Sequence, residues 1–216
     1  MEVVYRLNGK LWSDSNLFVS ASRNLIGKLK PKSVLEHDWH EYHGKQYDLA
    51  IGTRYEERKI TLDIFVVGDN WDEVVTNYHN IMDEFDKVGL QNLAVIPFEN
   101  KPLLYNVFLE GATELRKVFR NGEMFGTASL SMIEPSPIKR ILRTKNTTLN
   151  LTFTTDYLTD VVVLDDKFKR KNSYSQKGNV SVTLPLDAKE RYIIISGNIE
   201  TFTNFTTNAI TLWSKI

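Results

Sequence analysis

The stretch Glu36–Gly44 reads EHDWHEYHG and holds three of the chain's four histidines, His37, His40 and His43, with Asp38 and Glu41 between them. Imidazoles and carboxylates are the donors that hold zinc-like ions, and an imidazole that titrates at about pH 6.5 is a ready general acid or base. The spacing limits that chemistry. In an extended segment side chains alternate, so His37 and His43 share a face about 20 Å apart while His40 points away. Three imidazoles so placed cannot meet one ion at roughly 2.0–2.1 Å. In a helix, with Ser33 and Glu36 as a capping box and Leu35, Trp39 and Tyr42 on one face, His37 and His40, or His40 and His43, become neighbours. Two ligands still need a third, and His79 is the only other histidine. A helix of about ten residues is also marginal alone. A polar loop with one packed aromatic, Trp39, outweighs a metal site, and a pH-sensitive interface is the intermediate reading.

Other chemistry has less to stand on. The chain has no cysteine, so thiolate catalysis, disulfides and Cys-based zinc sites are excluded. It has no G-x-S-x-G elbow and neither of the glycine-rich phosphate cradles. A carboxylate pair that meets only in space is not visible in a chain with 27 acidic residues. The basic run Lys167–Gly178, KFKRKNSYSQKG, reads as a solvated hairpin loop in preference to a surface for an anionic partner. No catalytic, cofactor-binding or metal residue is assigned, no cofactor is expected, and the expected protein is not an enzyme.

Those segments must be positioned by a mainly β chain. Its 216 residues are 42% hydrophobic and 25% charged, enough for a real core in one large domain or two small ones. Lys plus Arg and Asp plus Glu balance at 27 each, which argues against a partner recognised through many phosphates. The start, MEVVYRLNGKLW, lacks the pattern of a signal peptide, and no window nears about 18 apolar residues, so no membrane span is expected.

One helix is expected over 71–88. Trp71, Val74, Val75, Tyr78, Ile81, Met82, Phe85 and Val88 form its stripe, Asn70 is the N-cap with Glu73 in capping-box register, and Gly89 is the stop. His79 lies beside the stripe as a partly exposed residue. Ile60, Leu62, Ile64 and Val66 alternate as one strand face. LAVIPFE and LLYNVFLEG flank Asn100-Lys101-Pro102 as a hairpin, with Pro97 marking an edge strand or bulge. TELRKVFR and EMFGTASLSM flank the hairpin signal Asn121-Gly122; Phe125, Thr127, Ser129 and Ser131 form one face and Met124, Gly126, Ala128, Leu130 and Met132 the other. The prolines of EPSPIKR end the pairing, giving a first domain over 1–140 and a small all-β part over 145–216.

In that second part Leu149, Leu151 and Phe153 alternate with Asn150, Thr152 and Thr154, and Val180, Val182 and Leu184 repeat the pattern. A core of about 70 residues without disulfides rarely supplies more than about 3–5 kcal/mol, so this part should lean on the first domain or on a neighbouring subunit. The fold class expected is mainly β (α+β): an antiparallel, sandwich-like domain with one long packed helix, then the small all-β part.

HDWHEYHGKQYDL, then TRYEERKITLDIFVVG, the capped helix, two hairpins and EPSPIKR together resemble the N-terminal domain of phage distal tail proteins and related siphophage tail components. The matching residues are Trp39, His43, Gly44, Tyr47, Asp48, Tyr55, Arg58, Ile60 and Leu62, and the resemblance spans roughly residues 1–140. It implies a structural protein of the virion tail, assembled in the host cytoplasm. Copies would form a ring, commonly a hexamer, joining the tail tube to the baseplate or receptor-binding device, with edge strands and the sheet face meeting neighbours. In that family the C-terminal part is often a β-sandwich and sometimes a carbohydrate-binding module; residues 145–216 show no specific match and are shorter. The alternatives are a carbohydrate-binding β module, resting on Trp213, Tyr192 and the Asn/Thr surface, and a metal-dependent enzyme at His37, His40 and His43.

Overall fold

The structure, a computed structural model, describes residues 3–41, 43–47, 53–99, 101–120 and 122–216. Tyr42, Asp48, Asn100 and Asn121, named above, lie outside the described residues.

Ten of the strands arise before the prolines: β1 (Val4–Leu7), β2 (Lys10–Leu11), β3 (Leu17–Arg23), β4 (Glu36–His37), β5 (Gln46–Tyr47), β6 (Arg58–Val67), β7 (Gln91–Ile96), β8 (Leu103–Ala112), β9 (Arg116–Arg120) and β10 (Glu123–Glu134). The helix α1 (Trp71–Met82) follows β6. The first sheet runs β2-β1-β7-β8-β10-β6-β3, with β9 beside β10, and its pairs are antiparallel. Strand β8 joins its halves: Leu103–Val107 pair with β7 and Phe108–Ala112 with β10. Both halves contribute to one apolar core, from Leu7, Leu93 and Tyr105 on one side to Ile60, Leu62, Ile64, Val66, Leu130 and Met132 on the other.

Alternation explains the strands. Ile60, Leu62, Ile64 and Val66 are all buried, as their period of two requires. The two faces of β10 divide as expected, with Gly126, Ala128, Leu130 and Met132 inward. Gly126 is needed for space, since a Cβ there would stand 2.8 Å from Leu115 and 2.9 Å from Val74 of the helix. Strand β7 is interior, between β1 and β8, and ends at Ile96; Pro97 stops the ladder rather than marking an edge.

The helix starts where its cap predicts. The Asn70 side chain accepts from the Glu73 N–H at 3.0 Å, and the Glu73 carboxylate accepts from the Asp69 N–H at 2.9 Å. It ends at Met82, not at 88. The following turns tighten, with the Phe85 N–H donating to the Met82 carbonyl at 2.8 Å. Glu84 is drawn into polar contacts with Asn8 and Lys87, so Phe85 stays buried while Val88 is fully exposed. Gly89 takes the left-handed backbone at φ 86°. No helix among the described residues is long and apolar enough to cross a membrane.

Past Pro135–Ile138 lies the second sheet, of β11 (Lys139–Thr144), β12 (Thr148–Leu164), β13 (Arg170–Pro185), β14 (Arg191–Ser196), β15 (Thr203–Thr207) and β16 (Ile210–Trp213). Its order is β13-β12-β14-β11-β16, with β15 also on β12. The 17-residue β12 shifts register between Thr155 and Thr159, pairing with β15 before that irregularity and with β14 after it. This sheet has its own core around Leu149, Leu151, Phe153, Val180, Val182 and Ile193. It also leans on the first sheet: Ala94 and Leu104 pack with Ile141, Val162, Leu164 and Ile194. Arg170 donates to the Leu90 carbonyl at 2.7 Å, and the Trp213 indole N–H to the Pro102 carbonyl at 3.1 Å. The basic run is therefore not one solvated loop, because only the turn before Arg170 is loop and Arg170 is anchored between the sheets.

Candidate functional site: an exposed arm on a buried anchor

Between β3 and β6 the chain leaves the first sheet as a long hairpin. Its root is pinned where Pro31 bridges Tyr55, the Lys32 N–H donates to the Arg54 carbonyl at 2.8 Å, and the Glu56 N–H donates to the Lys30 carbonyl at 2.9 Å. Near its tip Glu36 pairs with Tyr47 and His37 with Gln46. The histidine segment is thus neither a straight strand nor a helix but the turning end of this arm. His37 stacks on Trp39 with ring centroids 5.9 Å apart, and the Trp39 indole N–H donates to the Gln46 side chain at 3.2 Å. Trp39 is not the packed aromatic expected; it is 53% exposed. Among the described residues no three His, Asp or Glu side chains come together in a group able to hold a metal ion. His79 is exposed on α1, beside Tyr78.

Every described residue from Lys30 to Tyr47 is exposed, and these include Val34, Leu35 and Tyr47 as well as Trp39. Ion pairs Lys45–Glu36 at 2.6 Å and Lys30–Glu56 at 2.8 Å lie across the arm, and such exposed pairs contribute little. The arm therefore presents apolar side chains that its own fold does not bury.

What holds the arm is a buried polar cluster. Arg58, the first residue of β6, donates from Nη1 to the Leu25 carbonyl at 2.7 Å, and the Tyr105 hydroxyl donates to the same carbonyl at 2.7 Å. Arg58 and Glu134 are direct partners across β6 and β10, with Nε and Oε2 3.1 Å apart. That contact is an ion pair without an aligned hydrogen bond. The Lys139 ammonium donates to Glu134 Oε1 and sits 4.0 Å from the centre of the Tyr105 ring. Burial pushes the Glu134 carboxyl up, against the pull of Lys139 and Arg58. Burial likewise pushes Lys139 down to about 8, against the pull of Glu134, and raises the Tyr105 hydroxyl. Glu134 and Lys139 thus both carry the mark of removal from water, which outweighs their mutual attraction.

Sequence reasoning named Arg58 only within a resemblance and missed Glu134 and Lys139. The signal was a matter of phase: Arg58 falls in step with buried Ile60 and Leu62, Glu134 with Leu130 and Met132, and Lys139 with Ile141. Charged residues in step with a buried face at strand ends are candidates for a buried cluster. Trp213 and Tyr192 lie in the contact between the sheets, Tyr192 against Phe168 at 4.8 Å, and not on an open sheet face.

The architecture is a mainly β protein of two antiparallel sheets with one packed helix and a projecting arm. No family model matches the chain, and no curated protein matches it. Solved structures do. The SPP1 Dit (gp 19.1) protein, described as a paradigm of the hub adsorption apparatus in phages infecting Gram-positive hosts, aligns with a TM-score of 0.53 at 12% identity over 91% of this chain and 98% of that one. A chain of the phage P2 baseplate in its activated conformation with Ca aligns at 0.49 and 8% identity, over 91% and 99%. At such identities the likeness to SPP1 Dit is one of fold.

Proposed function

We propose that this chain is a structural protein of a phage tail, a distal tail or baseplate component that forms a ring of copies joining the tail tube to the host-recognition device. The observation that carries the reading is the arm, whose apolar residues Val34, Leu35, Trp39 and Tyr47 are exposed; an apolar surface of this kind suits burial against a second copy. The fold likeness to SPP1 Dit supports it, as does the resemblance carried by Trp39, His43, Gly44 and Arg58. The first sheet is the ring-building domain and the second a smaller domain carried upon it. Partners are further copies of the chain, in a hexamer as is common in the resembled family, and proteins of the tube and baseplate. The protein resides in the virion tail and performs no catalysis.

The glycan-binding alternative gains nothing from Trp213 and Tyr192, both held between the sheets. Light scattering after size exclusion, with electron microscopy of the same sample, tests the proposal. Closed rings are expected. A strict monomer at high concentration, alone and with tail-tube protein added, overturns it.

A further inference from the structure

The chain leaves the first sheet twice, and both excursions begin and end on the same buried cluster. The arm departs past Leu25, whose carbonyl accepts from Arg58 and Tyr105, and it returns at Arg58 itself. The linker to the second sheet departs at Glu134 and returns at Lys139; these two side chains pair with each other, and Glu134 also pairs with Arg58. Buried ion pairs add little stability over apolar side chains of the same shape, so stability alone does not account for this one. What a charge pair adds is geometry. Glu134 serves Arg58 and Lys139 together in one arrangement, and moving either away leaves a buried charge without its partner.

Two surface clefts flank the cluster. A cleft of ≈ 390 Å³ separates the arm root from the second sheet, lined by Lys32, Arg54, Tyr55, Pro137 and Asn198 among others. A second, of ≈ 340 Å³, is lined by Leu29, Arg58, Ile138, Trp213 and Ile216 among others. Across the first, contact rests on single side chains: Arg54 donates to Asn198 at 3.1 Å and stands 5.6 Å over the Tyr157 ring. Lys215 lies 5.5 Å over the Tyr55 ring while pairing with Glu200.

We propose that the Arg58–Glu134–Lys139 cluster is a joint that makes the placement of the arm and the orientation of the second sheet interdependent. A displacement of the arm root shifts Arg58 and Leu25, disturbs Glu134, and so loosens Lys139 and the strand it begins. The same path runs in reverse. The inference concerns the single chain and stands whether or not copies form a ring. Where they do, seating the arm on a neighbour biases the second sheet of every copy.

Amide hydrogen exchange on the full chain tests it, with Glu134→Gln as the perturbation. The reporters are Lys32 and Glu56 at the arm root, and Ile216, whose N–H donates to the Lys139 carbonyl, at the contact between the sheets. The core amides of Leu62 and Val163 control for global opening. Exchange at both reporter groups is expected to quicken together, roughly fivefold or more, with the core amides unchanged. Quickening at one group alone, at neither, or at all sites in equal proportion overturns the joint. Should Glu134→Gln fail to fold, the double variant Glu134→Gln/Lys139→Met is read the same way. As a perturbation from the far side, Trp213→Phe removes the bond to Pro102 and is expected to quicken Lys32 and Glu56; no change there overturns the coupling.

Discussion

The buried cluster predicts an asymmetry that a simple count of ion pairs would miss. The side chains of Arg58, Glu134 and Lys139 are 3%, 1% and 0% exposed, and Glu134 is the one anion among the three. Glu134→Ala leaves two cations buried together without the carboxylate they share. Breaking a buried pair by removing one partner costs about 3–5 kcal/mol, a large part of a total stability of roughly 5–15 kcal/mol. Lys139→Met differs in kind. It leaves Glu134 paired with Arg58, keeps a chain of similar length over the Tyr105 ring, and relieves the burial of one charge. Its expected cost is about 1 kcal/mol or less. The two variants should therefore differ by at least about 2 kcal/mol. Urea is the appropriate denaturant, because guanidinium is itself a salt that screens charges. Midpoints and slopes for both variants against the parent give the comparison. Equal costs, or a larger cost for Lys139→Met, would refute the assignment of Glu134 as the centre of the cluster.

Four further outcomes are expected. Lys139 is held down at about 8 when folded against 10.5 when unfolded, so between those values the unfolded chain carries a proton that the folded chain lacks. Stability from this group therefore rises with pH through that window, and urea midpoints of the parent should gain on those of Lys139→Met between pH 8 and 10.5. Gly126→Ala drives a methyl into Leu115 and Val74 and should cost about 1–3 kcal/mol by denaturation. Asn70→Ala removes the cap of α1 and should cost about 1 kcal/mol in the same assay. Replacing His37, His40 and His43 together with Gln should leave stability within about 0.5 kcal/mol, since all three are exposed, while the proposed ring, followed by light scattering, is expected to be lost.

The parts of this fold that were legible in the sequence are those where one local rule decides. Strand β6 follows from alternation at Ile60 to Val66, the turn after Arg120 from the glycine at 122, and the start of α1 from Asn70 and Glu73. Where tertiary contacts compete, the local reading failed. The apolar stripe continued to Val88, but Glu84 is held by Asn8 from the β1–β2 turn, a partner 76 residues away, and the helix closes at Met82. In the second sheet, the alternation of Leu149, Leu151 and Phe153 is only the first half of β12, whose later irregularity shows no periodic signature. The histidines drew attention by residue type, yet their setting depends on a hairpin whose two strands are two residues each, below the reach of any periodic signal.

The arm and its anchor belong to one physical problem. An extension that carries Leu35, at 67% exposure, and Trp39 into water is not held by packing against the sheets, since every described residue from Lys30 to Tyr47 is exposed. Position must be fixed at the root, where a few contacts decide the direction of the whole excursion. Apolar packing would specify the root less sharply, since cores accept volume-conserving rearrangement and lose uniqueness before they lose stability. Charged and hydrogen-bonded groups in a dry interior do not, because each has one acceptable partner arrangement. The Leu25 carbonyl, gripped by Arg58 and by the Tyr105 hydroxyl, is aimed by that requirement. The same requirement reaches Lys139 through Glu134, so whatever aims the arm also aims the first strand of the second sheet. An apolar junction alone, such as the contact of Ala94 and Leu104 with Ile194, would hold the two sheets together without relating either to the arm.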